Sequence, residues 1–522
     1  MTRRILLILV SAGIFALCFP DGPLPPAAFV CLAPFALALH NAGAGAGLLL
    51  GTLCGFSFWM VAAWWLANGF YYYVRLPWPA AWFWTIVACL ISSLPYALFG
   101  LLNGYFAWMK TPFGRLKGAA ALTVLLSWYP LAFPGNYVHS LYPVIPVIQV
   151  ADLGGVPLLL FLTNLVNFYA AGAILDRVKP PGPVKNILIA TGLLALMIGY
   201  GTFRLQGLRR DMTAADESRL VRIVSIQPNL SLRRAGAYQV FGNSSTPNDI
   251  ASVLALSEQA THCFPEAQAV AWPELPCGIP CRSDGGFWQS ARDLAESSGI
   301  PFIVNCYEYD PTAGGDYNIA RLISGDEDSG PAYKKRILLP FGEYLPGERR
   351  LPWLRRIFPR SLHYIPGDDI VTLLPLGEHR LAIPTLCYEV LFPGQVREFV
   401  RQGGDVIVNL VDDVWFGDSD ASAVHMALAV FRTVEFRVPL VRVTNSGNGV
   451  FVQSTGEIVK GSRTPVFEPR VSSFPLFVPE ERSAYARYGD VFLIFLTVIW
   501  LGEMVVRYLR KRCPWFLHHC ST

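Results

Sequence analysis

The strongest constraint on this chain is a succession of apolar stretches in its first 205 residues, each about as long as a bilayer is thick. A hydrocarbon core of about 30 Å is crossed by about 20 apolar residues in a helix rising 1.5 Å per residue. Seven stretches meet that requirement, at about 5–20, 26–42, 46–68, 80–107, 118–135, 151–175 and 187–204, and an eighth lies near 489–507. The fold class expected is therefore a multi-pass α-helical membrane domain of about eight spans joined to something more polar. Composition agrees: 15% of the 522 residues are charged and 53% apolar, which excludes a disordered chain and a collagen and argues against a wholly soluble protein. A formal net charge of +4 gives no basis for binding nucleic acid. Eleven cysteines scattered over the chain are not a disulfide framework.

Most of the acidic and basic residues lie between spans seven and eight. The domains expected are 1–209, with spans one to seven, a soluble domain over 210–482, and 483–522, with span eight and a tail. With the N-terminus inside, twelve basic residues flank the inner span ends (Arg3, Arg4, Lys110, Arg115, Lys117, Arg177, Lys179, Lys185, Arg507, Arg510, Lys511, Arg512). Six flank the outer ones (Arg75, Arg204, Arg209, Arg210, Arg482, Arg487). The positive-inside bias thus puts both ends of the chain in the cytoplasm and the soluble domain outside, which in a Gram-negative cell is the periplasmic face of the inner membrane. Residues 1–20 also fit a cleaved signal peptide, with Arg3 and Arg4 before an apolar stretch, and Cys18 hints at a lipobox; Leu17, where a small residue is needed, favours an uncleaved first span. The aromatic residues Trp64, Trp65, Tyr71 to Tyr73, Trp78, Trp82 and Trp84 fit an interfacial belt around an external loop, or lipid-facing packing.

The soluble segment reads as alternating buried strands and helices, an α/β layered domain. Strands are predicted at Arg222 to Gln227, Ala269 to Trp272, Pro301 to Cys306, Leu381 to Leu386, Asp405 to Leu410, Leu440 to Thr444 and Val450 to Gln453. Ile319 to Ser324 and Gly330 to Lys335 read as a hairpin around Gly325 to Asp328. Helices fit at 248–263, 286–298 and 421–437. Polar residues gather just past the strand C-termini, where such sheets usually carry their sites.

Three of them suit chemistry. Glu274 follows a buried strand between Pro273 and Leu275, a setting that desolvates a carboxylate and favours general-base work. Lys335 ends an apolar hairpin strand. Cys387 sits at a strand end before Tyr388-Glu389, a position suited to an exposed nucleophile on a tight turn, and a neighbouring cation would favour its thiolate. Each has a plainer reading: a core cysteine, a capping or paired glutamate, a solvated lysine.

Longer motifs surround all three. Ala271-Trp272-Pro273-Glu274, Lys335-Arg336-Ile337-Leu338-Leu339-Pro340-Phe341-Gly342-Glu343, Thr385-Leu386-Cys387-Tyr388-Glu389 and Val414-Trp415-Phe416-Gly417-Asp418, taken together, resemble the nitrilase superfamily. Within it they resemble the membrane-embedded apolipoprotein N-acyltransferase family. Arg442 to Gly447 looks like that family's late strand, and Asp412-Asp413 stands where the family often has Asn-Asp. The resemblance implies a nitrilase-like αββα sandwich and a Glu274–Lys335–Cys387 triad with no metal and no cofactor. Glu274 would be the general base, Cys387 the nucleophile and Lys335 the oxyanion partner. Glu343, Tyr388 and Glu389 would support them. It also implies the partners: a phospholipid acyl donor, the α-amino group of a diacylglyceryl-cysteine apolipoprotein as acceptor, and a Cys thioester between them in a ping-pong scheme shielded from water.

Around Leu351 to Arg360, apolar Trp353, Leu354, Ile357 and Phe358 alternate with Arg350, Arg355, Arg356 and Arg360. That mixture suits an arm dipping into the lipid interface, or an amphipathic helix packed on the domain; Trp415 is a further lipid-contact residue. Cys277 and Cys281, with His262 and Cys263 upstream, have a spacing that zinc can use, but a disulfide among Cys263, Cys277, Cys281 and Cys306 is favoured by an oxidising periplasm, with free buried thiols as the other reading. Two other functions use the same residues differently: an anchored nitrilase-type amidase, in which water completes the reaction, and a transporter or lipid-binding protein with an inactive module. The scarcity of ionisable residues in the spans counts against the transporter.

Overall fold

The computed structural model describes residues 1–177, 181–230, 247–274, 280–281, 286–324, 330–359 and 361–512. Lys179, Arg360, Cys277, Leu275 and the turn at Gly325 to Asp328 lie outside them.

Among the described residues four helices are long and apolar enough to cross a membrane: Ala44–Ala63, Trp78–Phe106, Ala151–Leu175 and Gly182–Ala214. The other expected spans are helical but shorter, broken or more charged. Thr2–Cys18 and Pro112–Trp128 have 17 residues each, and Val491–Arg512 carries a basic last turn. The stretch at 26–42 is two short helices, Pro25–Phe29 and Ala33–Leu39. Pro34 explains the break, since proline has no N–H to donate and suits only a helix start. Asn167 repairs it: its Oδ1 accepts from the Leu32 amide at 2.7 Å and its Nδ2 donates to the Ala28 carbonyl at 2.9 Å. A polar side chain thereby satisfies backbone groups that an apolar interior leaves without water.

The rest of the chain forms two facing sheets covered by helices. The strands are β1 (Leu220–Val221), β2 (Ile223–Gln227), β3 (Ala269–Ala271), β4 (Phe302–Asp310), β5 (Gly315–Ile323), β6 (Ala332–Lys334), β7 (Leu374–Leu376), β8 (Arg380–Leu386), β9 (Val406–Val411), β10 (Leu440–Thr444), β11 (Val450–Val452), β12 (Arg470–Ser473) and β13 (Leu476–Phe477). One sheet runs β12-β2-β3-β4-β5-β6, the other β11-β10-β9-β8-β7, and β1 pairs β13 apart from both. Side chains of successive strand residues point to opposite faces, and the core divides accordingly. Ile223, Ala269, Ala271 and Ile303 join the core between the sheets, while Val224, Val270, Trp272 and Phe302 pack with Val253, Phe287 and Ala291 of the outer helices Pro247–Cys263 and Gly286–Ser298. The layering is an αββα sandwich, as expected. The sequence reading lacked β1, β7, β12 and β13, strands of two to four residues whose period-2 pattern is too short to register.

Every residue of helix Ala421–Phe436 is buried, because one side covers the second sheet and the other meets the membrane helices. Helix Ala151–Leu175 is interrupted at Gly154 and Gly155, the latter at φ 69, and a Cβ there would stand 2.6 Å from the Tyr485 ring. The interruption frees the Val156 amide, which donates to Glu435 Oε1 at 2.8 Å. Beside it Asp152 accepts from Arg437 at 2.6 Å and from Arg204 at 3.0 Å. These buried polar contacts tie the sandwich to the bundle in one orientation.

Candidate active site

The site is assembled at the C-terminal ends of parallel neighbours. β8 and β9 run in register, with Leu386 opposite Leu410, so Cys387 emerges level with Val411, one residue before Asp412. Glu274 follows β3 in the facing sheet, and Lys335 follows β6. Cys387 occupies the left-handed region at φ 53, an uncommon conformation for a residue other than glycine that turns the chain sharply into the short helix Cys387–Leu391. Its carbonyl accepts from Asn409 Nδ2 at 2.9 Å, which steadies the turn. Tyr388 to Leu391 are buried while Cys387 is partly open and lines a cavity with Glu274 and Glu343.

Lys335 is 1% exposed. Its Nζ lies 2.8 Å from Glu343 Oε1 and 3.4 Å from Glu274 Oε1. Burial alone would lower its pKa, but Glu274 and Glu343 outweigh burial and hold it well above the usual lysine value. The group is a fixed cation. Glu343 is pushed upward by burial, with Lys335 opposing, and its second oxygen accepts from the Leu339 amide at 2.8 Å. Asn318 was not singled out from the sequence. Its Nδ2 donates to Glu274 Oε1 at 2.8 Å and contacts Glu343 Oε1 at 3.3 Å, and Asn305 holds it in turn through Asn318 Oδ1 at 2.7 Å. Both asparagines lie mid-strand in β4 and β5, where a lone amide in an apolar run gives no signal until the strands pair.

The Cys387 thiol is raised well above its usual value. Burial contributes most and Glu274 adds to it, with Lys335 opposing. A neighbouring lysine was expected to favour the thiolate; the two carboxylates and burial outweigh it, and the sulfur is a neutral thiol at rest. A thiol in this state would act as a nucleophile only if its proton were removed.

Tyr388 and Glu389 are framework. The Tyr388 hydroxyl donates to the Leu338 carbonyl at 2.6 Å, and its ring lies 5.9 Å from Lys335 Nζ. Glu389 is fully buried and accepts from the Tyr333 hydroxyl (2.7 Å), the amides of Arg336 (2.8 Å), Ile337 (3.0 Å) and Leu386 (3.0 Å), and Gln395 Nε2 (3.1 Å). It clasps the cysteine turn to the segment that carries Lys335.

The cavity is about 390 Å³. Its far wall comes from the bundle, including Phe15, Phe58, Trp59, Trp84, Val87 and Tyr96. The aromatic residues expected in an interfacial belt are partly used here instead. Trp65 is buried, with Phe416 4.8 Å away edge-on, and Tyr73 meets Trp415 at 4.6 Å. Of the residues expected on a lipid arm, Leu354 and Phe358 are buried with Val74 and Leu76, with Trp84 5.3 Å from Phe358; Ile357 packs partly against them and Trp353 is 51% exposed. The packed amphipathic helix describes Leu354 and Phe358 in this conformation. Cys281 and Cys306 form a disulfide, Cys263 is free and exposed, and Cys277 lies outside the described residues.

Residues 11–169 match the apolipoprotein N-acyltransferase N-terminal domain, and residues 234–472 match the carbon-nitrogen hydrolase family. Among curated proteins the chain is 28% identical over 506 residues to an apolipoprotein N-acyltransferase of Geobacter metallireducens, covering 94% of this chain and 92% of that one. Along nearly its whole length the chain is similar to apolipoprotein N-acyltransferases. It is also 24% identical over 429 residues to the Haemophilus influenzae protein of that name, covering 78% of this chain and 79% of the relative. Among solved structures, an amidase from Nesterenkonia sp. is similar at 20% identity and a TM-score of 0.37, over 52% of this chain and 95% of that one. These matches and the apolar helices make the chain a membrane protein with a nitrilase-like domain.

Proposed function

We propose that the chain transfers an acyl chain from a phospholipid to the N-terminal α-amino group of a diacylglyceryl-cysteine apolipoprotein, with Cys387 as the carrier. One observation carries this reading: a single cavity has Cys387 and Glu274 at its polar end and side chains of the membrane helices along its apolar wall. A thiol site for small polar amides has no use for such a wall, whereas a fatty chain needs one.

In the first half-reaction Cys387 Sγ attacks the ester carbonyl carbon as Glu274 takes the thiol proton. The Lys335 ammonium faces the charge that develops on the carbonyl oxygen. Collapse breaks the ester C–O bond, Glu274 returns the proton to the departing glycerol oxygen, and a lysophospholipid leaves a thioester behind. In the second half-reaction the lipoprotein amine attacks the thioester, Glu274 accepts its proton, and collapse releases the Cys387 thiolate, which is reprotonated. Glu343 keeps Lys335 charged and placed, while Tyr388 and Glu389 hold the turn.

The topology that suits this chemistry has eight spans, both chain ends cytoplasmic, and the sandwich on the periplasmic side of an inner membrane, open to the outer leaflet. Trp353 and the arginines beside it then lie where headgroups can meet them, with Leu354, Ile357, Phe358 and Trp415 available to acyl chains on rearrangement. The test is mass spectrometry of the purified protein after incubation with phospholipid alone. A gain of one acyl chain on the Cys387 peptide, lost in Cys387→Ala, is expected; an unmodified Cys387 peptide refutes the scheme.

A further inference from the structure

Beside the nucleophile is a carboxyl group that the scheme above does not use. Asp412 is 1% exposed and lines the same cavity as Cys387 and Glu274. Its Oδ1 accepts from the Val414 amide at 3.2 Å and from Asn445 Nδ2 at 3.1 Å. Its Oδ2 is buried with no partner among the described residues. Asn445 is itself oriented, since its Nδ2 also donates to the Leu230 carbonyl at 3.0 Å and its Oδ1 accepts from the Leu230 amide at 2.9 Å. Among the described residues no cation is turned to Asp412. Arg442 is engaged with Asp413 Oδ2 at 2.6 Å and with Asn409 Oδ1 at 3.0 Å, and His425 faces Asp413 Oδ1 at 3.3 Å. Negative neighbours stand on two sides, Glu274 across the cavity and Asp413 next in the chain.

An ionised carboxylate with one oxygen unpaired, buried among other carboxylates, is costly; a neutral acid with its proton on that oxygen is a donor in search of an acceptor. Two donors already meet Oδ1, so it serves as the carbonyl oxygen and leaves Oδ2 to carry the proton. The geometry points to Asp412 as a neutral carboxylic acid whose Oδ2–H donates a hydrogen bond to the acyl carbonyl oxygen of the group bound at Cys387. This rests on the acyl-transfer reading. It adds a second donor to Lys335 for the tetrahedral oxygen, one that strengthens as charge develops there and that brings no counter-charge of its own. Burial first, with Glu274 and Asp413 adding to it, raises this carboxyl well above the usual carboxylate range, in keeping with a proton retained at neutral pH.

Asp412→Asn keeps a donor without an ionisable proton, and Asp412→Ala removes the donor. Thioester formation from phospholipid and transfer to a diacylglyceryl peptide are timed separately by mass spectrometry at neutral pH. The asparagine variant, which keeps a weaker donor, is expected to lose less than the alanine variant in both steps. The alanine variant is expected to slow both steps, on the order of 10²-fold each, because both pass through a tetrahedral oxygen at the same place. An infrared difference spectrum of wild type minus Asp412→Asn is expected to show a protonated carboxyl band at neutral pH. Absence of that band, wild-type rates in Asp412→Ala, a loss in Asp412→Asn as large as that in Asp412→Ala, or a loss confined to thioester formation each overturns the assignment. The infrared result stands without the alanine variant, so the assignment remains refutable if that variant does not fold. A thioester that still forms in Cys387→Ala refutes the carrier reading instead and leaves the infrared result to decide the state of Asp412.

Discussion

Replacing Glu389 by Gln changes one oxygen to an NH2 group and keeps the volume. The carboxylate accepts five hydrogen bonds, four on Oε1 and one on Oε2. The glutamine carbonyl can take the four on one side, but its NH2 then faces the Leu386 N–H, donor against donor. The reverse placement sets four donors against it. The cheaper arrangement leaves one buried backbone donor unmade, costing about 1–3 kcal/mol, and loses the charge assistance of the other four bonds. A total of about 3–4 kcal/mol follows, a large part of the roughly 5–15 kcal/mol that holds a domain folded. Leu386 directly precedes Cys387, so relaxation of that clash displaces the sulfur. A shift of about 1 Å in a reacting group can cost about 10²-fold in rate. Two assays check this: the urea midpoint of the detergent-solubilised protein and the rate of acyl gain on Cys387. Wild-type values of both in Glu389→Gln would refute the clasp. An unchanged midpoint with a lost rate would instead make Glu389 a participant in the chemistry.

Lys335→Met leaves Glu274 and Glu343 facing each other without their shared cation; thioester formation should fall on the order of 10³-fold and stability by about 3–5 kcal/mol, read by acyl gain and by urea unfolding. His425 is buried, and burial, then Arg442, push its pKa down to about 4, with Asp413 opposing. The folded state therefore resists protonation that the unfolded chain accepts at about 6.5, so stability is complete above that pH and declines as pH falls toward 4. His425→Gln should flatten that part of the pH–stability curve, and an unchanged slope refutes the assignment. Trp353→Ala should slow acyl uptake from phospholipid vesicles without moving the unfolding midpoint, since the side chain is half exposed; equal uptake removes it from the lipid path.

Glu274, Lys335 and Cys387 were each marked by a local pattern that left a plainer reading open, and only the resemblance of the longer motifs joined them into a candidate triad. Glu274 follows the buried strand β3, and Cys387 ends β8 ahead of a turn. Lys335 sits four residues ahead of Leu339, whose amide meets Glu343. The helices at Pro247–Cys263, Gly286–Ser298 and Ala421–Phe436 fall where periodicity predicted them. Asn305, Asn318 and Asn409 were not legible, because each meets its partner only when segments distant in the chain are brought together. The break in the second apolar stretch was not legible for a related reason. Hydropathy records apolar length, but Asn167 mends the break in the second stretch from 135 residues away.

Apolar length, strand-end carboxylates and a cysteine on a turn were determined by the sequence itself, since each depends on residues adjacent in the chain. The state of the sulfur, the second role of the aromatic residues as a cavity wall and the bare oxygen of Asp412 were decided only in three dimensions. A pKa or an unpaired donor is set by whatever surrounds a group within a few ångströms, and those neighbours come from parts of the chain that only folding brings together.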